Sequence, residues 1–376
     1  MKYSELREKV RNHPKYPGCV ELERSPLINP GFPGTFNLSF AEYNLLKEYS
    51  GFIDFDHDFV FSSIPSCIRP QDIPKTGTDN SYKYLGVFEI ADLTGIINLE
   101  DRIDYSKLQR WQVNELINFL EEFCFSREKV HPSYCAGGKV KELSKGKYDF
   151  DFEVPEDKIS KEAFLEAGVP RENLIPDKSR DTFLSLHVHR PTPWGYRNEI
   201  NVNIGSKEKQ VLVDIATIEY LIWKPVFIGN ESFSNNIIGS NNIIGLEENK
   251  NTISLAVVGL ERLCMVANGL KRVQEVDYIS PFYEKMQEQT GQKDFLSGES
   301  LRALHRLYSD ISMYKIRPSH HQTDKIKKIL QKIPRELTEE QLKKLLKVHS
   351  ETQPWHPNLE DGIEPTIERI KVYRDS

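Results

Sequence analysis

The sequence predicts an α+β fold: a mixed, mainly antiparallel sheet flanked by helices, with a small helical domain at the C-terminal end. Three observations carry this. Residues 58–69 and 83–93 alternate apolar and polar side chains around a polar loop holding Pro74, Gly77 and Asp79, the pattern of a wide antiparallel hairpin. Residues 197–204, 211–228 and 252–258 supply further strands, the second of them a long apolar run. After about residue 275 the strand signals stop and helical ones take over. With 376 residues the chain accommodates one large and one smaller domain, and a boundary between 275 and 295 divides it into 1–285 and 286–376.

The elements follow in order. Ser4 to Val10 starts a short amphipathic helix that the Asn12-His13-Pro14 breaker ends. Residues 15–37 read as loop with one short strand, and 58–69 as a single strand. Residues 106–124 form the clearest helix, with Ser106 and Gln109 as a capping box and Leu108, Trp111, Leu116, Leu120 and Phe123 as its buried stripe. Residues 136–160, rich in Gly, Lys and Asp, read as an exposed insertion, and 161–168 as a helix ending at Gly168. Strands are predicted at 181–187 and 197–204. The duplication NNIIGS-NNIIGL at 235–246 is too short for a solenoid and reads as a β-ribbon. Gly259 to Asn268 is a helix stopped by Gly269. Helices are predicted at 299–314, 321–333 and 338–349, the last with a Thr338/Gln341 box, and 350–376 reads as irregular until a short charged end.

Composition narrows the classes. The chain is 38% hydrophobic and 28% charged, which suits a globular core, and its net charge is -6, so any nucleic-acid contact has to come from a local basic patch. Five cysteines, Cys19, Cys67, Cys124, Cys135 and Cys264, are odd in number and widely spaced, which argues against a disulfide framework or zinc ribbon and for reduced thiols in a cytoplasmic setting. Residues 1–9 have no apolar signal core, and no run of 18 apolar residues is present, so no membrane span is expected.

Three segments carry chemistry. In SCIRPQD–loop–YLGVFEIAD, residues 66–92, Arg69 ends one strand while Phe88 and Glu89 lie on its partner. A guanidinium forks onto phosphate oxygens, and an aromatic face stacks on a nucleobase. In VVGLERL, residues 257–263, Gly259 lets the strand end approach a ligand, and Arg262 sits in the first helical turn behind Glu261. In RPTPWGYRNEINVNIG, residues 190–205, Glu199 near a strand start suits Mg²⁺ or a substrate amine, or else an ion pair with Arg197 or Arg190. Each segment alone also reads as ordinary structure: a hairpin with a surface arginine, a strand-to-helix junction, an ion pair. His187 and His189 in LHVHRP share a strand face and form a possible metal pair with no third ligand evident.

In order and spacing the three segments together resemble the motifs of class II aminoacyl-tRNA synthetases, and the alanyl enzymes above all. Cys67-Ile68-Arg69-Pro70 with Val87-Phe88-Glu89-Ile90 is similar to that family's CIRAGG…FFEMLGN. Pro191 through Ile200 is similar to GPCGPCSEI, Ile222 through Ile228 to IWNLVFMQ, and Leu255 through Arg262 to VDTGMGLER. The helical residues 301–319 are similar to the start of that family's tRNA-binding region, and the resemblance covers about 5–330. It implies a class II synthetase-like fold, truncated without an editing domain, that binds ATP with Mg²⁺. The implied activity is an ATP-dependent ligase that joins a small carboxylic or amino acid to AMP, then passes it to tRNA, a carrier or another acceptor. By resemblance, Arg69 contacts the α-phosphate, Phe88 stacks on adenine, Glu89 lies beside base or ribose, and Arg262 closes from the other face.

The departures bear on the substrate. Where the family has the aspartate that holds the amino group, this chain has Leu255, and where it has the asparagine after Trp223 it has Lys224. Trp223, Lys224, Glu199 and Leu255 are the expected acid pocket, and the exchange of an anion for an apolar side chain predicts a substrate other than alanine. Val257 narrows the pocket floor, while Lys75 and Lys83 are candidates for the γ-phosphate. The alternative is a catalytically inactive paralogue that binds a ligand or partner for regulation. A third reading is an RNA-binding module using Lys325, Lys327, Lys328, Lys332, Lys343, Lys344 and Lys347, a set that equally reads as a solvated helix face.

Overall fold

The computed structural model describes residues 1–15, 17–28, 36, 59–78, 82–98, 105–123, 125–185, 193–206, 209–227 and 243–376. The His187/His189 pair, Arg190, Cys124 and the duplication up to residue 242 lie outside the described residues.

Helix α1 is Tyr3–Asn12, followed by strand β1, Val20–Glu21. The predicted strand 58–69 is two strands, β2 (Phe59–Ser63) and β3 (Ser66–Ile68). Pro65 between them has no N–H to give to a ladder, and its carbonyl instead accepts the Ile90 N–H at 3.0 Å. The return strand β4 is Val87–Asn98. The hairpin forms as expected, with Ser66, Cys67 and Ile68 opposite Glu89, Phe88 and Val87. Helix α2 is Tyr105–Glu121. Ser106 already lies inside it, and Gln109 is buried, giving its amide to Ser160 at 2.9 Å rather than reaching back to a cap. Trp111 is only half-buried, and Val113, Ile117 and Phe119 complete the stripe instead.

Strand β5 is Val130–Cys135. Residues 136–160, expected as an exposed insertion, carry β6 (Gly138–Lys139), α3 (Val140–Leu143) and β7 (Glu153–Val154). Val140, Leu143, Tyr148 and Val154 are buried against Phe183, Trp194, Tyr196, Tyr220 and Trp223, so this segment is the lid of a second, aromatic core. Its exposed charges hide four regularly needed apolar anchors, which is why composition alone misread it. Then come α4 (Lys158–Glu166), β8 (Ile175–Asp177), β9 (Phe183–Ser185) and β10 (Trp194–Asn203). The two longest strands, β11 (Leu212–Phe227) and β12 (Ile243–Gly259), lead into α5, Leu260–Ala267.

The sheet runs β1-β2-β4-β12-β11-β10-β5-β8, with β3 added on β4 and β9 on β10. Only β1–β2 and β5–β8 pair in parallel among the described residues. The α+β class, with a mainly antiparallel sheet flanked by helices, is thus the observed one.

Helices α6 (Ser280–Thr290), α7 (Phe295–Tyr314), α8 (His320–Leu330) and α9 (Glu339–Glu351) follow, and Thr338 and Gln341 form the predicted capping box of α9. The tail expected as irregular is instead α10, Leu359–Arg374. It buries Ile363, Ile367 and Ile370, and Gly362 lets it approach Ser309 of α7 so closely that a Cβ there would overlap the serine. One hydrophobic core runs from Leu6 of α1 through Ile215 and Leu260 to Leu304, Leu345 and Ile367. Among the described residues, no helix is long and apolar enough to cross a membrane.

Candidate functional site

Among the described residues a shallow hollow of about 1090 Å³ lies along α1, and two recesses open on the sheet itself. The larger, about 700 Å³ of empty space, lies between α1, α2 and strands β2, β4 and β12. Its wall is dominated by side chains such as Val10, Leu93, Trp111, Phe119 and Val258, and no predicted site residue lines it. The smaller, about 590 Å³, is on the other side of the sheet and holds the charged chemistry. Arg69, Phe88 and Arg262 all line it, together with Lys83, Arg197, Asp214, Thr217, Val257 and Gly259. Polar chemistry, not size, decides between them, and we take the smaller as the candidate site.

The topology explains the convergence. Strand β3 ends at Ile68, which delivers Arg69 to the hairpin mouth, where its backbone N–H donates to the Gly86 carbonyl at 3.0 Å. Its guanidinium carbon lies 5.3 Å from the centroid of the Phe88 ring, in cation–π range. Gly259 stands opposite Ile90 and ends β12 at the same edge, so α5 begins there and presents Arg262 in its first turn. Arg262 donates from Nε to the Lys83 carbonyl at 3.0 Å and from Nη1 to the Asp214 carbonyl at 3.0 Å, and it also pairs with the Asp214 carboxylate. Lys83 Nζ holds the other Asp214 oxygen at 2.9 Å. Burial pushes the Asp214 carboxyl up, but Arg262 and Lys83 outweigh it and hold the pKa below the usual value. The lining carries four cationic side chains, Arg69, Lys83, Arg197 and Arg262, against Asp214 and Glu261. In a chain of net charge -6 that local excess makes the cleft attractive to anions.

The remaining predicted residues are placed differently. Glu89 alternates with Phe88 and Ile90 and turns to the opposite side, away from the cleft. There Arg7 grips it through Nε at 2.8 Å and Nη2 at 3.0 Å, and the Tyr3 hydroxyl donates at 2.9 Å. His356 Nε2 stands 2.9 Å away. Burial alone would raise the Glu89 pKa, but His356 and Arg7 reverse this and hold it well below the carboxylate range. Arg7 is the lasting part of that, because burial drives His356 down to about 3 and leaves it neutral at pH 7. Beside it, Glu261 accepts from the Glu89 N–H at 3.0 Å and from the Tyr278 hydroxyl at 2.5 Å, and the Tyr3 oxygen, whose one proton goes to Glu89, stands 3.0 Å away. Burial, then the neighbouring Glu89 charge, push its pKa up to about 7.

Glu199 pairs with Arg197 at 3.3 Å, the structural partner the sequence offered, and burial raises its pKa. Arg197 also approaches Glu219 at 3.5 Å, a buried carboxyl that stands opposite Leu255 in the ladder. Leu255 is fully buried beside Val257 on the cleft side. Trp223 and Lys224 are not brought to the cleft. Seven residues separate Lys224 from Thr217, roughly 20 Å along a strand. Lys224 pairs with Glu247 at 3.1 Å, and Trp223 packs in the aromatic core 5.1 Å from Tyr196 and 5.6 Å from Phe183. Lys75 pairs with Asp72 at 2.8 Å, outside the cleft, whereas Lys83 lines it. The residue missed from sequence is Asp214. Its signal was a lone carboxylate inside the apolar run VLVDIAT. Cys67 and Cys264 are buried and form no disulfide.

No protein-family model matches the chain, and no curated protein matches it. Among solved structures it is similar to a pyrrolysyl-tRNA synthetase of Desulfitobacterium hafniense, at 13% identity over 73% of this chain and 71% of that one, with a TM-score of 0.27. A likeness of that size carries no argument, and the reading of the cleft rests on its own residues.

Proposed function

We propose that the cleft binds ATP and that the protein is an ATP-dependent ligase of the aminoacyl-tRNA-synthetase type, forming an acyl-adenylate. One observation carries this: Arg69 lies over Phe88 on one wall, and Arg262 faces the same cleft from the start of α5. Phe88 offers the base a face, and the two guanidiniums and Lys83 offer charge to the phosphates. In the reaction a carboxylate oxygen of the acid attacks the α-phosphorus. An O–P bond forms, the bond to the bridging oxygen breaks, and pyrophosphate leaves with the electron pair. Arg69 and Arg262 neutralise charge as it builds, and positioning supplies much of the remaining rate, so no side-chain nucleophile is required.

Magnesium fits this site to a limited degree. Among the described residues no three His, Cys, Asp or Glu side chains stand together as a metal cage. A magnesium ion carried on ATP phosphates needs only one or two carboxylates, and Asp214 would be its protein ligand. The ion would supply charge neutralisation on the phosphates. The acid is not alanine in this reading, because Leu255 is apolar and fully buried and the nearby Glu219 is shared with Arg197. An α-ammonium there would meet no carboxylate of its own.

Calorimetry with ATP and Mg²⁺ tests the proposal. Wild type should bind, and an Arg69→Ala/Arg262→Ala double variant should bind at least about tenfold more weakly. Pyrophosphate exchange with a panel of amino and other carboxylic acids would then name the substrate. No ATP binding by wild type would end the adenylation reading.

The inactive-paralogue reading draws support from Arg262, which is already held by Asp214 and the Lys83 carbonyl. ATP binding without exchange on any acid would favour it. If the acceptor is tRNA, helix α8 is the better contact. Residues 315–335 carry seven Lys and Arg against one Asp. Burial, and after it the neighbouring Lys328, lower the Lys325 pKa. The lysines of α9 are neutralised, Lys343 by Glu364, Lys344 by Glu340 at 2.7 Å and Lys347 by Glu351 at 3.9 Å. RNA affinity that falls with salt and with Lys327→Ala/Lys328→Ala, but not with Lys343→Ala, would support that acceptor.

A further inference from the structure

The hairpin that carries Arg69 is tied from behind by α7, the first long helix after residue 290. The Gly86 N–H donates to Glu299 Oε2 at 2.8 Å, and the Gly86 carbonyl accepts the Arg69 N–H at 3.0 Å. One residue thus links the helix to the arginine. Gly86 is a glycine for packing reasons: a Cβ there would stand 2.5 Å from Ile73 and 3.3 Å from the Glu299 side chain. Glu299 is itself fixed, because its Oε1 accepts from the Tyr283 hydroxyl at 2.6 Å and from Arg302 at 2.5 Å. Glu299, Arg302 and Tyr283 are 0%, 1% and 1% exposed, so water does not compete for these bonds. Arg306, one turn further along α7, donates to the Ser66 hydroxyl at the other strand of the hairpin.

We infer that Glu299 is a positioning residue for the cleft: it fixes Gly86, Gly86 fixes the Arg69 backbone, and so α7 sets where the phosphate-facing guanidinium stands. The inference rests on the nucleotide reading of the cleft. It makes the helical region part of the site's geometry without any contact between that region and the ligand.

Glu299→Gln is the isosteric probe. Both carboxylate oxygens accept from N–H or O–H donors, so whichever way the amide turns its NH₂ meets a donor. The variant should bind ATP about tenfold more weakly, the usual cost of one charged hydrogen bond, while adenosine, which has no phosphate, binds within about twofold of wild type. Combined with Arg69→Ala it should lose nothing beyond what Arg69→Ala loses alone. Tyr283→Phe removes one of the two donors to the other oxygen and leaves the Gly86 bond in place, so it should weaken ATP binding less than Glu299→Gln does. Equal losses for ATP and adenosine, or additive losses with Arg69→Ala, would overturn the inference. Glu299→Asp, which withdraws the carboxylate by one methylene, carries the same expectations if Glu299→Gln does not fold. Amide exchange at Arg69 and Gly86 gives a reading independent of nucleotide. Faster exchange in the variant supports the tie, and exchange as in wild type overturns it. Failure of wild type to bind either ligand would end the nucleotide reading and leave the tie to be judged by exchange alone.

Discussion

Asp214 is the acid that three separate atoms compete for: Lys83 Nζ, Arg262 Nη1 and, in the proposed reaction, magnesium. Its removal therefore has a signed effect. Asp214→Asn should bind ATP more tightly than wild type in a chelating buffer, since the cleft gains positive charge, and should lose the tightening that magnesium gives. Calorimetry with and without the metal checks both halves. Glu261 yields a pH prediction. The folded carboxyl sits at about 7 against an ordinary 4.5. The native state thus holds a proton that the unfolded chain has released, and stability should fall as pH climbs through that window, by at most roughly 3 kcal/mol. Glu261→Gln should flatten the melting temperature between those values. Arg69, Phe88 and Arg262, which line the candidate cleft, were singled out from sequence by the order and spacing of their segments together, because each segment alone also reads as ordinary structure. Asp214 could not be, because a single carboxylate in a strand acquires its partners only when Lys83 and Arg262 arrive from distant segments. Glu89 was misplaced for the related reason that strand alternation gives two faces but does not say which one opens to ligand.

The Thr338/Gln341 box is the local rule working as written, and Thr338→Ala should cost about 1 kcal/mol, readable in a denaturant midpoint. The α10 helix is the opposite case. Pro365 inside it and Pro354 and Pro357 ahead of it read as breakers, and Pro365 does remove a hydrogen bond. The helix exists because Ile363, Ile367 and Ile370 dock on the rest of the helical region and Gly362 lets Ser309 in. Gly362→Ala should accordingly destabilise by about 1–3 kcal/mol despite alanine's better helix propensity, and thermal unfolding would decide the sign. The 136–160 segment was obscured in the same way, since its four buried anchors are spaced by no period and their partners lie at 183–223.

The fold class was readable because strand signals recur up to about residue 258 and only helices follow residue 275. How the stretches depend on one another was not. The helices after residue 285 share one core with the sheet and hold its hairpin through Glu299 and Arg306. A chain ending at residue 285 should fail to give a cooperative thermal transition, which circular dichroism would show. The sharpest dependence is on the far side of β4. Arg7 and Tyr3, near one end of the sequence, close on Glu89 together with Glu261, Tyr278, Trp355 and His356. A ribosome delivers these residues in order, so Arg7 leaves it 349 residues ahead of His356. The knot around Glu89 therefore cannot close completely before His356 has emerged.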